Sequence, residues 1–198
     1  MAGDPVDLEL VRAARAHGGP EAFTTLVQRY ERPLYNFFLR SLRNAALAEE
    51  FFQETFLRCF RALPTFDPDL PTANFKAWVF RIAVHLIRDE VRKPAYQRAL
   101  QLEQELGLDE EADKAPSPED EASWTQQRAR VRRAVTCLPE NAREVLILHQ
   151  YQALSYPEIA EALDIPLGTV KSRMHAALVE LRKILVHDGD EAAAEVAS

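Results

Sequence analysis

The 198-residue chain is poor in the residues that most chemistry needs. It has two cysteines, Cys59 and Cys137, far apart and set among apolar residues. That usage predicts buried, reduced thiols in a cytosolic protein rather than a disulfide framework. Its five histidines (His17, His85, His149, His175 and His187) share no metal-ligand spacing with the cysteines. No glycine-rich loop could cradle a phosphate, and no nucleophile motif is present. An enzyme is therefore set aside, and neither metal nor cofactor is expected. No apolar run approaches the roughly 20 residues of a membrane span, so no membrane insertion is expected. The opening MAGDPVDLELVRAARAHGG carries acids and lacks the apolar block of a secretory signal, which predicts a cytoplasmic location. Strand-like alternation and internal repeats are missing too, leaving an all-α fold class.

What is present suits packed cores in a soluble protein: 47% hydrophobic and 28% charged residues. The net charge of −7 argues at first against a nucleic-acid partner. It splits, however, into −8 over residues 101–123, −4 over the tail from 188, and +5 over everything else. Two mildly basic bodies thus carry an acidic strap and an acidic tail, and a partner need meet only the basic surfaces.

Helical patterning runs through DLELVRAARA, EAFTTLVQRYERPLYNFFLRSL and AALAEEFFQETFLRCFRAL. The stretch PTFDPDLPTANF (64–75) has three prolines and predicts a structured loop. A helix is expected over about 76–93, stopped by Pro94. The run DEEADKAPSPEDE reads as a linker, and helix resumes near Trp124. The expected organisation is two helical domains (1–96 and 127–187), a flexible acidic linker (97–126) and a disordered acidic tail (188–198).

The segment LSYPEIAEALDIPLGTVKSRMHAALVELRK (154–183) is the most informative. Ser155 and Glu158 have capping-box spacing, with proline tolerated in the first turn. Ile159, Ala160 and Leu163 line a short helix, Asp164-Ile165-Pro166 turns the chain, and Gly168-Thr169 opens a longer helix. At 100° per residue, Val170, Met174, Ala177 and Leu181 form its buried stripe. Lys171, Ser172 and His175 fall opposite, Thr169 and Ala176 lie beside them, and Arg173 flanks the set within reach of phosphate. This is a helix-turn-helix offering short polar and basic groups to a major groove. A helical hairpin with a solvated basic face is the plainer alternative, which the cap, turn and outward Lys-Ser-His set disfavour.

The helix over 76–93 carries two apolar stripes: Phe75, Val79, Ile82 and Leu86; and Phe80, Val84, Ile87 and Val91. Between them runs a ridge of Trp78, Arg81, His85, Arg88 and Arg92. Arginines that hold phosphate beside flat rings suit melted or distorted DNA. Trp78 taken alone fits a core position better. In AEEFFQETFLRCFRAL (48–63) there are too many apolar groups for one thin stripe, while Glu50, Gln53, Glu54 and Leu57 share a polar strip. From the residues alone this is an ordinary bundle helix.

Taken together, four stretches resemble a bacterial RNA polymerase sigma factor of the extracytoplasmic-function (ECF) type. DLELVRAARAHGGPEAFTTLVQRY resembles the family's opening, and AEEFFQETFLRCFRALPTF its core-binding helix. FKAWVFRIAVHLIRDEVRK resembles its promoter-melting and −10 helix, and the segment 154–183 its −35-reading helix-turn-helix. The resemblance implies a dissociable subunit that binds core RNA polymerase and directs it to promoter DNA. It implies core docking through Glu50, Gln53, Glu54, Phe56 and Leu57, and capture of an extruded −10 base by the loop from Asp67 to Asn74. It places Trp78, Arg81, His85, Arg88 and Arg92 near the melted strand. Thr169, Lys171, Ser172, Arg173 and His175 correspond to the −35 readers and phosphate contacts. The resemblance also implies a linker that runs toward the RNA exit path and an anti-sigma factor as a further partner.

The chain departs from the family pattern at several positions. His85 stands where asparagine is usual, so a different −10 preference or melting behaviour is expected. Ala176 and Leu178 stand where arginines often occur, which predicts weaker −35 binding with a shallower salt dependence. Glu50 replaces the usual aspartate. The rivals are a stand-alone helix-turn-helix regulator, which leaves the 76–93 ridge unexplained, and a helical adaptor that touches no nucleic acid.

Overall fold

The computed structural model describes residues 3–16, 19–42, 44–99, 130–131 and 133–196; the acidic linker beyond residue 99 lies outside them. In the N-terminal half, α1 (Pro5–Arg15), α2 (Pro20–Leu42) and α3 (Ala45–Ala62) lead through a 3-10 turn (Leu63–Thr65) to α4 (Phe75–Val91). In the C-terminal half, α5 (Glu140–Gln150) precedes α6 (Tyr156–Leu163) and α7 (Leu167–Val196). No strand occurs among the described residues, and no helix there is long and apolar enough to cross a membrane.

The helices start where short polar side chains replace missing backbone partners. Asp4 accepts from the Val6 N–H, Asn44 from Leu47 and Asn74 from Ala77, each at 3.0 Å. α2 buries Leu26, Tyr30, Leu34, Phe37, Phe38 and Leu42 at helical spacing, against α3 and α4. Edge-to-face rings knit this core: Phe37 meets Phe80 at 5.4 Å and Phe38 meets Phe51 at 5.7 Å. Both predicted apolar stripes of α4 pack inward, with Ile82 and Val91 half-buried at their margins.

α1 is held by a buried carboxylate. Asp7 accepts a short hydrogen bond from the Tyr30 hydroxyl and faces Arg29 Nε at 2.9 Å. Burial, with the Asp7 contact, pushes the Tyr30 phenol far above its ordinary value.

The helix-turn-helix forms as its pattern predicts. Ser155 and Glu158 close a capping box, and Asp164 ends α6 in the left-handed conformation (φ 53°). Val170, Met174 and Ala177 are buried and Leu181 half-buried. Two expectations need correction. α7 continues as one helix to Val196, so 188–196 is not a disordered tail; the Ala-rich run EAAAEV favours helix enough to outweigh Gly189. Cys59 is buried, its thiol pushed up to about 12 by burial, but Cys137 is exposed in the turn before α5.

The halves do not stand apart. α6 packs across α4, and the buried apolar residues form one cluster through both halves.

Candidate nucleic-acid interface

The α4 ridge emerges because two apolar stripes turn inward and leave one polar face. Trp78 is half-buried, tilted against Phe66 (5.1 Å) and Phe75 (5.6 Å), so one part of the ring serves the core. Arg81 and Arg88 are half-buried; His85 and Arg92 are exposed. Ahead of the ridge lies the loop 64–74. Asp67 is exposed and accepts from the Asp69 N–H at 3.0 Å, while Phe66 anchors the loop beneath Phe75 and Trp78.

Asn74 is buried, with both ends of its amide engaged. Its Oδ1 caps α4, and its Nδ2 donates to Glu158 Oε1 at 2.8 Å. Glu158 in turn accepts from the Ser155 N–H and hydroxyl, both at 2.6 Å. Burial acts to raise the Glu158 carboxyl, but these hydrogen bonds and nearby Lys76 hold it below the ordinary value.

Further along α4, Arg88 spans to the C-terminal half. It donates to Glu144 Oε2 at 3.0 Å and to the Leu163 carbonyl at 3.2 Å. Burial pushes the Glu144 carboxyl up by more than the Arg88 cation draws it down. Arg81 approaches Asp164 at 3.8 Å, and the Arg40 guanidinium lies 4.2 Å from the Tyr151 ring centre.

The helix-turn-helix presents Lys171, Ser172 and His175 to solvent, with Thr169 and Arg173 half-buried beside them. The Ser172 hydroxyl bonds back to the Thr169 carbonyl at 3.0 Å. Ala176 and Leu178 are exposed next to this set. An open cleft of about 680 Å³ lies at the seam, lined by His85, Arg88, Arg92, Glu144, Asp164 and Arg173. Residues assigned to both DNA elements thus share one cavity. Lys171, Ser172 and His175 are not among its lining residues.

On α3, Glu50, Gln53 and Leu57 are exposed, and Glu54 pairs with Arg58 at 2.7 Å. Phe56 is the exception to the expected docking set. It is 7% exposed and wedged between Phe23 and Phe52, so it supports that surface from beneath. Phe60, one turn on, is 59% exposed beside Leu57 at 43%. The excess of apolar residues on this helix was the signal for it. Glu144 and Arg40 had no local signal, and Glu158 had one only for its capping box, because the cross-seam partners Arg88, Tyr151 and Asn74 lie far away in sequence.

The Sigma-70 region 2 family model matches residues 26–96, and the Sigma-70, region 4 model matches residues 128–181. The ECF RNA polymerase sigma factor SigW of Bacillus subtilis is 32% identical over 173 residues, covering 85% of this chain and 91% of SigW. The RNA polymerase sigma factor CnrH of Cupriavidus metallidurans is 31% identical over 197 residues, 95% of this chain and 100% of CnrH. The structure of CnrH in complex with the cytosolic domain of CnrY superposes with a TM-score of 0.67, at 27% identity over 92% of this chain and 99% of that one. The sigma factor RpoE of Bartonella quintana, in complex with the anti-sigma factor NepR, shares the fold: TM-score 0.61, 24% identity, 82% and 96% coverage.

Proposed function

This chain belongs to the ECF family of RNA polymerase sigma factors, and we propose that it divides promoter reading between its two packed halves. It is an alternative sigma factor, which directs polymerase to promoter-specific initiation and performs no catalysis of its own. The N-terminal half, 1–96, reads and melts the −10 element. Asn74 and the loop from Asp67 capture an extruded base, while Trp78, Arg81, His85, Arg88 and Arg92 hold the parted strand through phosphate contacts and stacking. The C-terminal half, 127–187, reads −35 through Thr169, Lys171, Ser172, Arg173 and His175. Core polymerase docks on Glu50, Gln53, Glu54 and Leu57, with Phe60 taking the exposed place first assigned to Phe56. The linker, 97–126, runs toward the RNA exit path, and the protein acts in the cytoplasm.

One observation carries the reading. A ridge of ring and guanidinium groups on α4 and a polar-basic helix-turn-helix face belong to the same chain. A stand-alone helix-turn-helix regulator would need only the second.

The packing adds a condition. Asn74, Arg81 and Arg88 make contacts with the C-terminal half, so −10 reading requires the halves to part. CnrH and RpoE are seen with CnrY and with the anti-sigma factor NepR, respectively. A partner of that kind would act on this chain by holding the closed arrangement.

Multi-round transcription by bacterial core polymerase on sheared genomic DNA, with and without this protein, tests the function. New transcript starts that share two short upstream elements are expected. Duplex binding without polymerase and without new starts would instead favour the regulator.

A further inference from the structure

We propose that α1 is a brace for the loop 64–74, with Arg12 and Arg15 as positioning residues for −10 base capture. The inference rests on the reading of that loop as the base-capturing element. Four hydrogen bonds from three residues of the N-terminal segment span the loop from end to end. Arg15 Nη2 donates to the Pro64 carbonyl at 3.2 Å. Arg12 donates from Nη2 to the Pro68 carbonyl at 3.2 Å and from Nε to Asp69 Oδ1 at 2.8 Å. The Gly3 N–H donates to the Ala73 carbonyl at 2.8 Å, next to Asn74.

The loop's composition explains why an outside brace is needed. Pro64, Pro68 and Pro71 have no N–H, so the segment cannot make a full set of backbone hydrogen bonds of its own. Its internal bonds include Asp69 N–H to Asp67 and Ala73 N–H to the Leu70 carbonyl. Arginine supplies several donors in a rigid fork and can hold a carbonyl and a carboxylate together, as Arg12 does here.

The brace has a fixed base. Asp7 ties α1 to Tyr30 and Arg29 of α2, and Arg29 also reaches Asp4 at 2.8 Å. Meanwhile Asp67, Leu70 and Thr72 remain exposed along the loop. The arrangement fixes the backbone while leaving its outer edge free for a ligand. Ordering a loop only on binding costs affinity, and pre-ordering removes that cost.

The Arg12–Asp69 pair is largely exposed, at 48% and 72% of side-chain area, so it adds little to global stability. A positional role therefore predicts a dissociation between stability and base discrimination. The test uses holoenzyme assembled from full chain and core polymerase. The probe is forked −10 DNA from a promoter found by start mapping, with each of the four bases at the most discriminating position.

The Arg12→Ala/Arg15→Ala variant is expected to lose about tenfold of the wild-type discrimination ratio, the cost of removing a few hydrogen bonds. Its unfolding midpoint should shift by less than about 3 °C. Arg12→Lys, which can reach one acceptor at a time, should fall between. Gly3→Ala attacks the other end, because a Cβ there would lie 2.8 Å from Asn74 Cα and 2.9 Å from the Ala73 oxygen. It should lower discrimination as well. Full discrimination retained in both the double variant and Gly3→Ala would overturn the brace alone. Wild-type holoenzyme with no base preference anywhere in the −10 element would overturn the base-capture reading and the brace with it.

Discussion

Asn74 and Glu158, 84 residues apart, join the starts of two helices: Asn74 caps α4, Glu158 closes the capping box of α6, and one hydrogen bond of 2.8 Å links the two side chains. The same amide that starts α4 holds the carboxylate that closes the α6 capping box. Asn74→Ala and Glu158→Ala should each cost about 1–2 kcal/mol through their caps. In a double-mutant cycle followed by urea unfolding, the pair should show a coupling of about 1 kcal/mol. Strict additivity would mean that the halves are not joined there in solution.

Acid should act on the seam in two opposite steps. The folded-state Glu144 carboxyl is raised by burial, against Arg88, with Glu140 and Arg173 also nearby. Its contribution is fully present below the unfolded-state value of about 4.3 and is lost as pH rises through the higher folded value. Glu158, held low, contributes above about 4.3 and loses that contribution as pH falls through its lower folded value. Stability should therefore rise as pH drops through the raised folded value of Glu144 toward about 4.3, then fall as pH drops further through the lowered folded value of Glu158. Glu144→Gln should flatten the first limb in a thermal melt series. An unchanged rise would assign it to another group.

The two phenylalanines one turn apart on α3 should fail in different ways. Phe56→Ala opens a cavity between Phe23 and Phe52 and should cost about 3–5 kcal/mol of folding stability. Phe60→Ser should leave stability within about 0.5 kcal/mol, because the ring is mostly in water. Its affinity for core polymerase should drop by about 1–2 kcal/mol in a competition assay. Wild-type affinity for core would remove Phe60 from the docking surface.

Leu178 is 51% exposed beside the residues proposed to read −35, where a cation would meet phosphate. Leu178→Arg should steepen the slope of log K against log salt by about 0.9 per phosphate neutralised. A fluorescence titration with −35 duplex across a salt series measures this. A slope identical to wild type would place that side chain off the backbone path.

His85 is exposed and lines the seam cleft. Restoring the family's usual residue with His85→Asn should keep or improve transcription in the reconstituted assay. A dead variant would make the imidazole itself essential.

Much of this was legible in the sequence because helical period carries it. The α4 stripes, the Ser155–Glu158 box and the Val170, Met174 and Ala177 stripe are each fixed by residues within a few turns. Phe56 and Phe60 share a face by spacing, and the period alone does not tell that Phe56 is enclosed between Phe23 and Phe52. Phe23 meets Phe60 as well, at 5.2 Å, yet leaves most of that ring in water. The Asn74–Glu158 and Arg88–Glu144 pairs join segments with no periodic relation. The closed seam was therefore invisible until the halves were seen packed together.

The unbroken course of α7 has a consequence for how the protein meets DNA. Thirty residues of helix make a rod of about 45 Å. Lys171, Arg173, Arg182 and Lys183 outnumber Glu180 in its first two thirds, and the sequence of the remainder holds Asp188, Asp190, Glu191 and Glu195. The aligned peptide dipoles add to this polarity, positive at the start and negative at the end. On the proposed −35 reading, the field of the duplex would orient this rod like a compass needle, drawing its basic start toward the phosphates before any base is touched.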